Sequence, residues 1–119
     1  MEVQAITKNV RMSAQKMREV VRQIQGLPAQ HAADALSVTP RKGARIVEKT
    51  LRSAMANAED LKTNKEDYRG MNTTALVVKE AVAQTAQTYR RFTPKARGSA
   101  GPILKRNCHV KIVLTDTHA

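Results

Sequence analysis

From Tyr89 to Lys111 the chain carries Arg90, Arg91, Lys95, Arg97, Lys105, Arg106 and Lys111 without one Asp or Glu between them. Pro94, Gly98, Gly101 and Pro102 fall in the same stretch. Such residues break helices and mark turns, so Gln84 to Leu104 reads as the extended end of a long β-hairpin. A slender ribbon of this charge finds few partners within its own domain. Two of the chain's three aromatics, Tyr89 and Phe92, lie here as well. Guanidinium forks suit phosphate, and aromatic faces stack on unpaired bases. A solvated loop charged only for solubility is the plainer alternative. The segregation of charge favours a ribbon ordered by threading between RNA helices.

The rest of the chain must supply the core. Its 119 residues fit one small domain, and 41% are apolar. With Tyr68 as the remaining aromatic, the core is built from Val, Ile, Leu, Met and Ala. Any enclosed pocket is then small, which argues against a small-molecule enzyme. Lys and Arg number 21 against 10 Asp and Glu, a formal charge of +11. That surplus self-repels and calls for a polyanion partner, with nucleic acid first. An anionic membrane is the rival, but no segment approaches the ~20 apolar residues of a spanning helix. Met1-Glu2-Val3-Gln4 lacks the basic-then-apolar design of a signal peptide, and no Arg- and Ser-rich transit peptide is seen. The single Cys108 excludes an internal disulfide and fits a cytoplasmic location.

Residues 2 to 10 read as a strand on Val3, Ala5, Ile6 and Val10. Ser13 is a helix N-cap, followed at helical spacing by Met17, Val20, Val21 and Ile24, with Gly26 as the stop. Pro28 opens a short Ala-rich helix through Leu36. Thr39-Pro40 repeats the cap-then-proline signal and starts the longest helix, reaching about Leu61. Ala44, Val47, Leu51, Ala54, Met55, Ala58 and Leu61 mark its buried stripe. Arg41 and Lys42 sit in its first turn, where positive charge opposes the helix dipole. Ala54, Ala56 and Ala58 flank Asn57 and would let another backbone come close, or simply favour helix. A strand is expected from Thr73 through Val82, and a last one around Val110, Ile112 and Leu114. The fold class is α+β: a small antiparallel three-stranded sheet packed with three helices, with a long protruding β-hairpin. One domain spans 1–119, its body about 1–82 and 104–119 and its hairpin about 83–103.

A second basic group is Lys8, Arg11, Lys16, Arg18 and Arg22, an RNA-facing surface or the ordinary solvated face of a helix. Catalytic constellations are missing. Cys108 and His109 are neighbours on a strand, so their side chains point to opposite faces and do not pair. His31 and His118 stand alone. No metal-binding spacing and no Gly-rich phosphate loop occurs, so no metal and no cofactor is expected. An architectural DNA-binding protein would also join helices to a basic β-arm, with Pro94 where its wedge would sit. An RNA-modifying enzyme would need a cofactor loop or paired acid and base groups.

Three segments together resemble the bacterial large-subunit ribosomal protein L-twenty-two family. They are Ser13-Ala14-Gln15-Lys16-Met17-Arg18, Ser53-Ala54-Met55-Ala56-Asn57-Ala58-Glu59, and Pro94-Lys95-Ala96-Arg97-Gly98-Ser99-Ala100 followed by Ile103-Leu104-Lys105-Arg106-Asn107-Cys108-His109-Val110. The resemblance covers nearly the whole chain. It implies a structural constituent of the large ribosomal subunit, cytoplasmic, with an α+β body on the subunit's outer surface. It also implies a hairpin lining the nascent-peptide exit tunnel, its tip being Tyr89, Arg90, Arg91, Phe92, Thr93, Pro94, Lys95, Ala96, Arg97 and Gly98. Changes there are expected to alter the macrolide response. The expected partners are large-subunit ribosomal RNA, neighbouring ribosomal proteins and the nascent peptide, with no membrane and no homo-oligomer. The expected RNA-binding residues are Lys8, Arg11, Ser13, Lys16, Arg18, Arg22, Arg41, Lys42, Arg90, Arg91, Lys95, Arg97, Lys105, Arg106, His109 and Lys111. Gln25, Leu27, Ser99 and Asn107-Cys108 depart from the family's usual basic or hydroxyl residues, which removes some phosphate contacts there.

Overall fold

The computed structural model describes residues 2–116. Strand β1 (Glu2–Val10) buries Val3, Ala5 and Val10 and exposes Glu2, Gln4 and Ile6, the period-two pattern of a strand with one face on a core. Helix α1 (Ala14–Val21) starts where expected: Ser13 has an extended backbone, and its Oγ accepts the Lys16 N–H at 3.4 Å. Met17, Val20, Val21 and Ile24 are all essentially buried. The regular helix ends at Val21. Residues 22–26 continue as tighter turns, with Gln23 N–H donating to Val20 O and Ile24 N–H to Val21 O. Gly26 takes φ +80°, which reverses the chain at little steric cost.

Helix α2 (Ala29–Val38) follows Pro28, and helix α3 (Lys42–Asn64) follows Arg41. Thr39-Pro40 is therefore not the start of the long helix. Thr39 instead closes α2: its backbone is extended and its Oγ1 donates to Ala35 O at 2.7 Å. The side chain that would have capped α3 is already used one turn back. Helix α3 also outruns its expected end. Thr63 Oγ1 donates to Glu59 O and Asn64 Nδ2 to Asp60 Oδ1, so polar side chains carry the last turn without a buried stripe. Ala44, Val47, Leu51, Ala54 and Ala58 are buried, with Met55 and Leu61 partly so. Ala54 and Ala58 bring α3 close to β1, and Asn57 Nδ2 donates to Gln4 O at 3.2 Å; Ala56 faces solvent.

Strand β2 (Val77–Thr85) begins later than the run of β-formers suggests. Asn72 Oδ1 accepts both the N–H and the Oγ1 of Thr74, a local turn that holds residues 72–75 out of the sheet. Strands β3 (Tyr89–Pro94) and β4 (Ala100–Lys105) pair antiparallel as a two-stranded ribbon. Strand β5 (Cys108–Thr115) is the centre of a three-stranded antiparallel sheet in the order β1-β5-β2. Flanked on both sides, it buries Val113 and Thr115 as well as Val110, Ile112 and Leu114. The helices cover one face of this sheet, and the core is aliphatic throughout.

The free edge of β2 is closed by groups from α1 and the turn after it. Gly26 N–H donates to Val78 O, Val78 N–H to Leu27 O and Ala29 N–H to Leu76 O. Farther along, Gln25 Nε2 donates to Ala81 O at 2.6 Å and Arg18 Nε to Ala83 O at 3.2 Å. An uncovered strand edge is a template for aggregation, and here its carbonyls are taken one after another. The molecule is elongated all the same. Its longest extent is 67 Å and its radius of gyration 17.8 Å, against about 13–14 Å for a compact chain of this length. The ribbon accounts for the excess, since nearly every residue from Tyr89 to Arg106 is exposed.

Candidate nucleic-acid interface

Between the first turn of α1, the first turn of α3 and the base of the ribbon lies an open cleft of about 1110 Å³. Arg11, Lys16, Arg18, Arg41, Lys42 and Arg106 line it, opposed among the described residues by Glu19 alone. Glu19 is itself engaged, 3.3 Å from the Arg41 guanidinium. Ser13, Ala14 and Gln15 contribute the start of α1, and Pro40, Arg41 and Lys42 the start of α3. Neither helix has an acidic residue in its first turn. Unsatisfied N–H groups and the positive end of the dipole favour an anion at each start. The cations are thus placed where they cost helix stability and add to the field in the cleft.

The wall formed by the ribbon is held by side chains. Arg11 Nη1 donates to Arg106 O at 2.8 Å, and Lys42 Nζ lies 3.5 Å from Arg11 O. Asn107 is buried at 4% exposure; its Nδ2 donates to Gln87 O at 2.9 Å, and its own carbonyl accepts the Ala86 N–H. This asparagine bridges the break between the β2–β5 pairing and the β3–β4 ribbon. In sequence it stands only as a departure from the resembled family's residue, because a lone Asn among cations gives no sign of a clasp. Gln25 is likewise accounted for, as the cap on Ala81 O.

The ribbon's cations are exposed. Arg91 lies over the Tyr89 ring, 5.7 Å from its centroid, and its Nη1 donates to Arg90 O. At the tip, Arg97 and Gly98 both adopt positive φ, and Lys95 N–H donates to Ser99 O at 2.6 Å. Arg90, Arg91, Lys95, Arg97 and Lys105 are therefore grouped on the ribbon, apart from the cleft.

Four expected residues join neither group. Lys8 is exposed on β1, next to Asn9, which takes φ 57° at an irregularity in the β1–β5 register. His109 Nδ1 accepts the Asn9 N–H at 3.0 Å, leaving Nε2 as its free ring nitrogen. Arg22 lies exposed past the end of α1. Lys111 lines a different hollow, away from the cleft, to which Glu2, Asp60 and Glu80 also contribute.

Cys108 is fully buried and His109 half-exposed, as their alternation on a strand requires. Burial pushes the Cys108 thiol above its ordinary pKa. In the folded chain it is expected to resist Ellman's reagent at pH 8 and to react fully once urea is added. Fast labelling of the native chain would contradict this. The raised value also sets a sign: below the ordinary thiol pKa both states are protonated and nothing is lost. Above it the unfolded chain ionises first, so this contribution to stability falls as pH rises. His31 is exposed, and His118 lies outside the described residues. Among the described residues no cluster of His, Cys, Asp or Glu is arranged to hold a metal ion, and no helix is long and apolar enough to cross a membrane.

Comparison with known proteins follows the same line. A family model described as ribosomal protein L22p/L17e matches residues 5–115. A large ribosomal subunit protein uL22 from Akkermansia muciniphila is 47% identical over 116 residues, covering 98% of this chain and 97% of that protein. Its counterpart from Opitutus terrae is 48% identical over 116 residues, covering 98% and 96%. The protein of that name from Methylacidiphilum infernorum is 44% identical over the same share of each chain.

Proposed function

The chain belongs to the ribosomal protein L22p/L17e family, and on that premise we propose that it is a non-enzymatic structural constituent of the large ribosomal subunit. Its body docks on large-subunit ribosomal RNA through the cationic cleft. Its ribbon, continuing the β2–β5 pair as one interrupted hairpin, reaches into the subunit and lines the peptide exit tunnel. Neighbouring ribosomal proteins and the nascent peptide are its further partners, and it works as a single copy in the cytoplasm.

One observation carries the docking reading: two helix starts and six cations face a single, already paired carboxylate across one cleft. A surface of that kind gains from a phosphate backbone and repels cations. The tunnel reading is inherited from the family and supported by the arm's length and its acid-free sequence. An architectural DNA-binding role is less well supported, because Pro94 belongs to strand β3, short of the tip turn at Ala96–Gly98.

The two regions make separable predictions. Deleting Arg90, Arg91 and Phe92 removes cations and an aromatic from the ribbon and nothing from the cleft. Sucrose-gradient profiles of the tagged variant should show incorporation into large subunits within about twofold of the parent. A stalling-peptide reporter, or macrolide susceptibility, should change clearly. Loss of incorporation with the isolated variant still folded would mean that the ribbon, and not the cleft, is the anchor.

A further inference from the structure

The ribbon has two unlike faces. In its register Tyr89 pairs with Lys105, Arg91 with Ile103 and Thr93 with Gly101; between them Arg90 pairs with Leu104, Phe92 with Pro102 and Pro94 with Ala100. Paired residues of antiparallel strands share a face, and alternate pairs take opposite faces. On the first face Tyr89, Arg91 and Lys95 already have partners. Arg91 covers the Tyr89 ring, and the Lys95 stem lies over Gly101, so close that a side chain there would collide with it. On the second face Phe92 is 74% exposed, with Pro102 across from it and Leu104 and Pro94 beside the pair. No acidic residue occurs on either strand.

We propose that Phe92, backed by Pro102, is a stacking platform for one unpaired RNA base, and that Tyr89 is not. The inference rests on the RNA-binding reading above and selects between the two aromatics of the arm. An exposed phenyl ring gains by covering its π-face, and a base is flat, apolar on its faces and tethered to phosphate. Arg90 on the same face, with Arg97 at the tip, meets that phosphate and repels a cationic occupant. The Tyr89 ring lacks an open face on the side that Arg91 covers. Its role is to hold a guanidinium in place.

The test uses the full chain and a single-stranded RNA 12-mer with one 2-aminopurine, following affinity by anisotropy and stacking by quenching. Phe92→Leu should weaken binding about tenfold and remove the quenching, with the salt dependence unchanged. Phe92→Trp should restore both, and Tyr89→Leu should stay within about twofold of the parent. Unchanged quenching in Phe92→Leu, or an equal loss in Tyr89→Leu, overturns the assignment. So does a photocrosslinker at position 92 that, in assembled subunits, joins the nascent peptide and not RNA. Failure of the parent chain to bind any RNA would instead overturn the RNA reading itself, and the platform with it.

Discussion

A chain carrying both Lys16→Glu and Lys42→Glu is expected to melt a few degrees above the parent and to bind large-subunit RNA at least about 100-fold more weakly. The two effects have one cause. Lys16 is the third residue of α1 after its Ser13 cap, and Lys42 is the first of α3. Glutamate at position 16 would complete a capping box with Ser13, and glutamate at 42 would sit at the positive end of a helix dipole. Each change is worth about 0.3–1 kcal/mol to the helix, and together they lower the formal charge of +11 by four. Both side chains also line the cleft. Losing two charge-assisted phosphate contacts costs about 1.5–3 kcal/mol apiece, before any repulsion from the new carboxylates. The log–log salt slope should flatten by about two. Calorimetry and a filter-binding salt series read the two effects separately. Unchanged affinity and slope would show that the cleft does not face phosphate. Arg18 is left out of the pair because its Nε holds Ala83 O at 3.2 Å in a part-buried contact, so its replacement would confuse binding with folding; the Lys42 Nζ contact with Arg11 O is exposed and long, at 3.5 Å.

Ile112→Ala should cost about 4 kcal/mol, near the upper end for a large-to-small change in a core. Ile112 is fully buried at the middle of the central strand, and its partners on both sides are alanines, Ala5 in β1 and Ala81 in β2. Neither neighbour has side-chain atoms to swing into the space left behind, so the cavity persists. Folded domains have only about 5–15 kcal/mol in all, and the melting temperature should fall by roughly 10–20 °C. Ile103→Ala is the control. Ile103 has the same side chain but lies on the ribbon at 40% exposure, and its loss should cost under about 1 kcal/mol. Urea midpoints for the two variants settle the matter, and equal costs would mean that the sheet repacks.

How far such features can be read from the chain depends on whether their cause is local. The start of α1 was legible because Ser13 and the spacing of Met17, Val20, Val21 and Ile24 act within a dozen residues. The start of α3 is not legible in the same way, because Thr39 stands between two helices and its hydroxyl turns back to Ala35. Gln25 and Asn107 looked like lost phosphate contacts, since their partners Ala81 and Gln87 are 56 and 20 residues away. Of the candidate site, the charge of the ribbon is plain from composition. The cleft is legible only in part: Arg11, Lys16, Arg18, Arg41 and Lys42 are expected on one docking surface of the body, but Arg106 joins them from a distant stretch while Lys8 and Lys111 do not. Distance along the chain, and not subtlety of chemistry, separates the two cases.

The place of β5 at the centre of the sheet orders events in time. Residues 108–115 leave the synthesising ribosome after every other described element, yet β1 and β2 have no partner in the sheet until they arrive. Glu2 must find Thr115, a closure across almost the whole chain, which is the slow kind of pairing. Until then the apolar faces of α1 and α3 have no sheet to cover. Until β5 has been made a nascent chain of this protein is therefore aggregation-prone, and its body closes in one step once β5 arrives. Pulse-labelled chains cut short before Cys108 should bind chaperones and be digested rapidly by protease, and those extending past Thr115 should not.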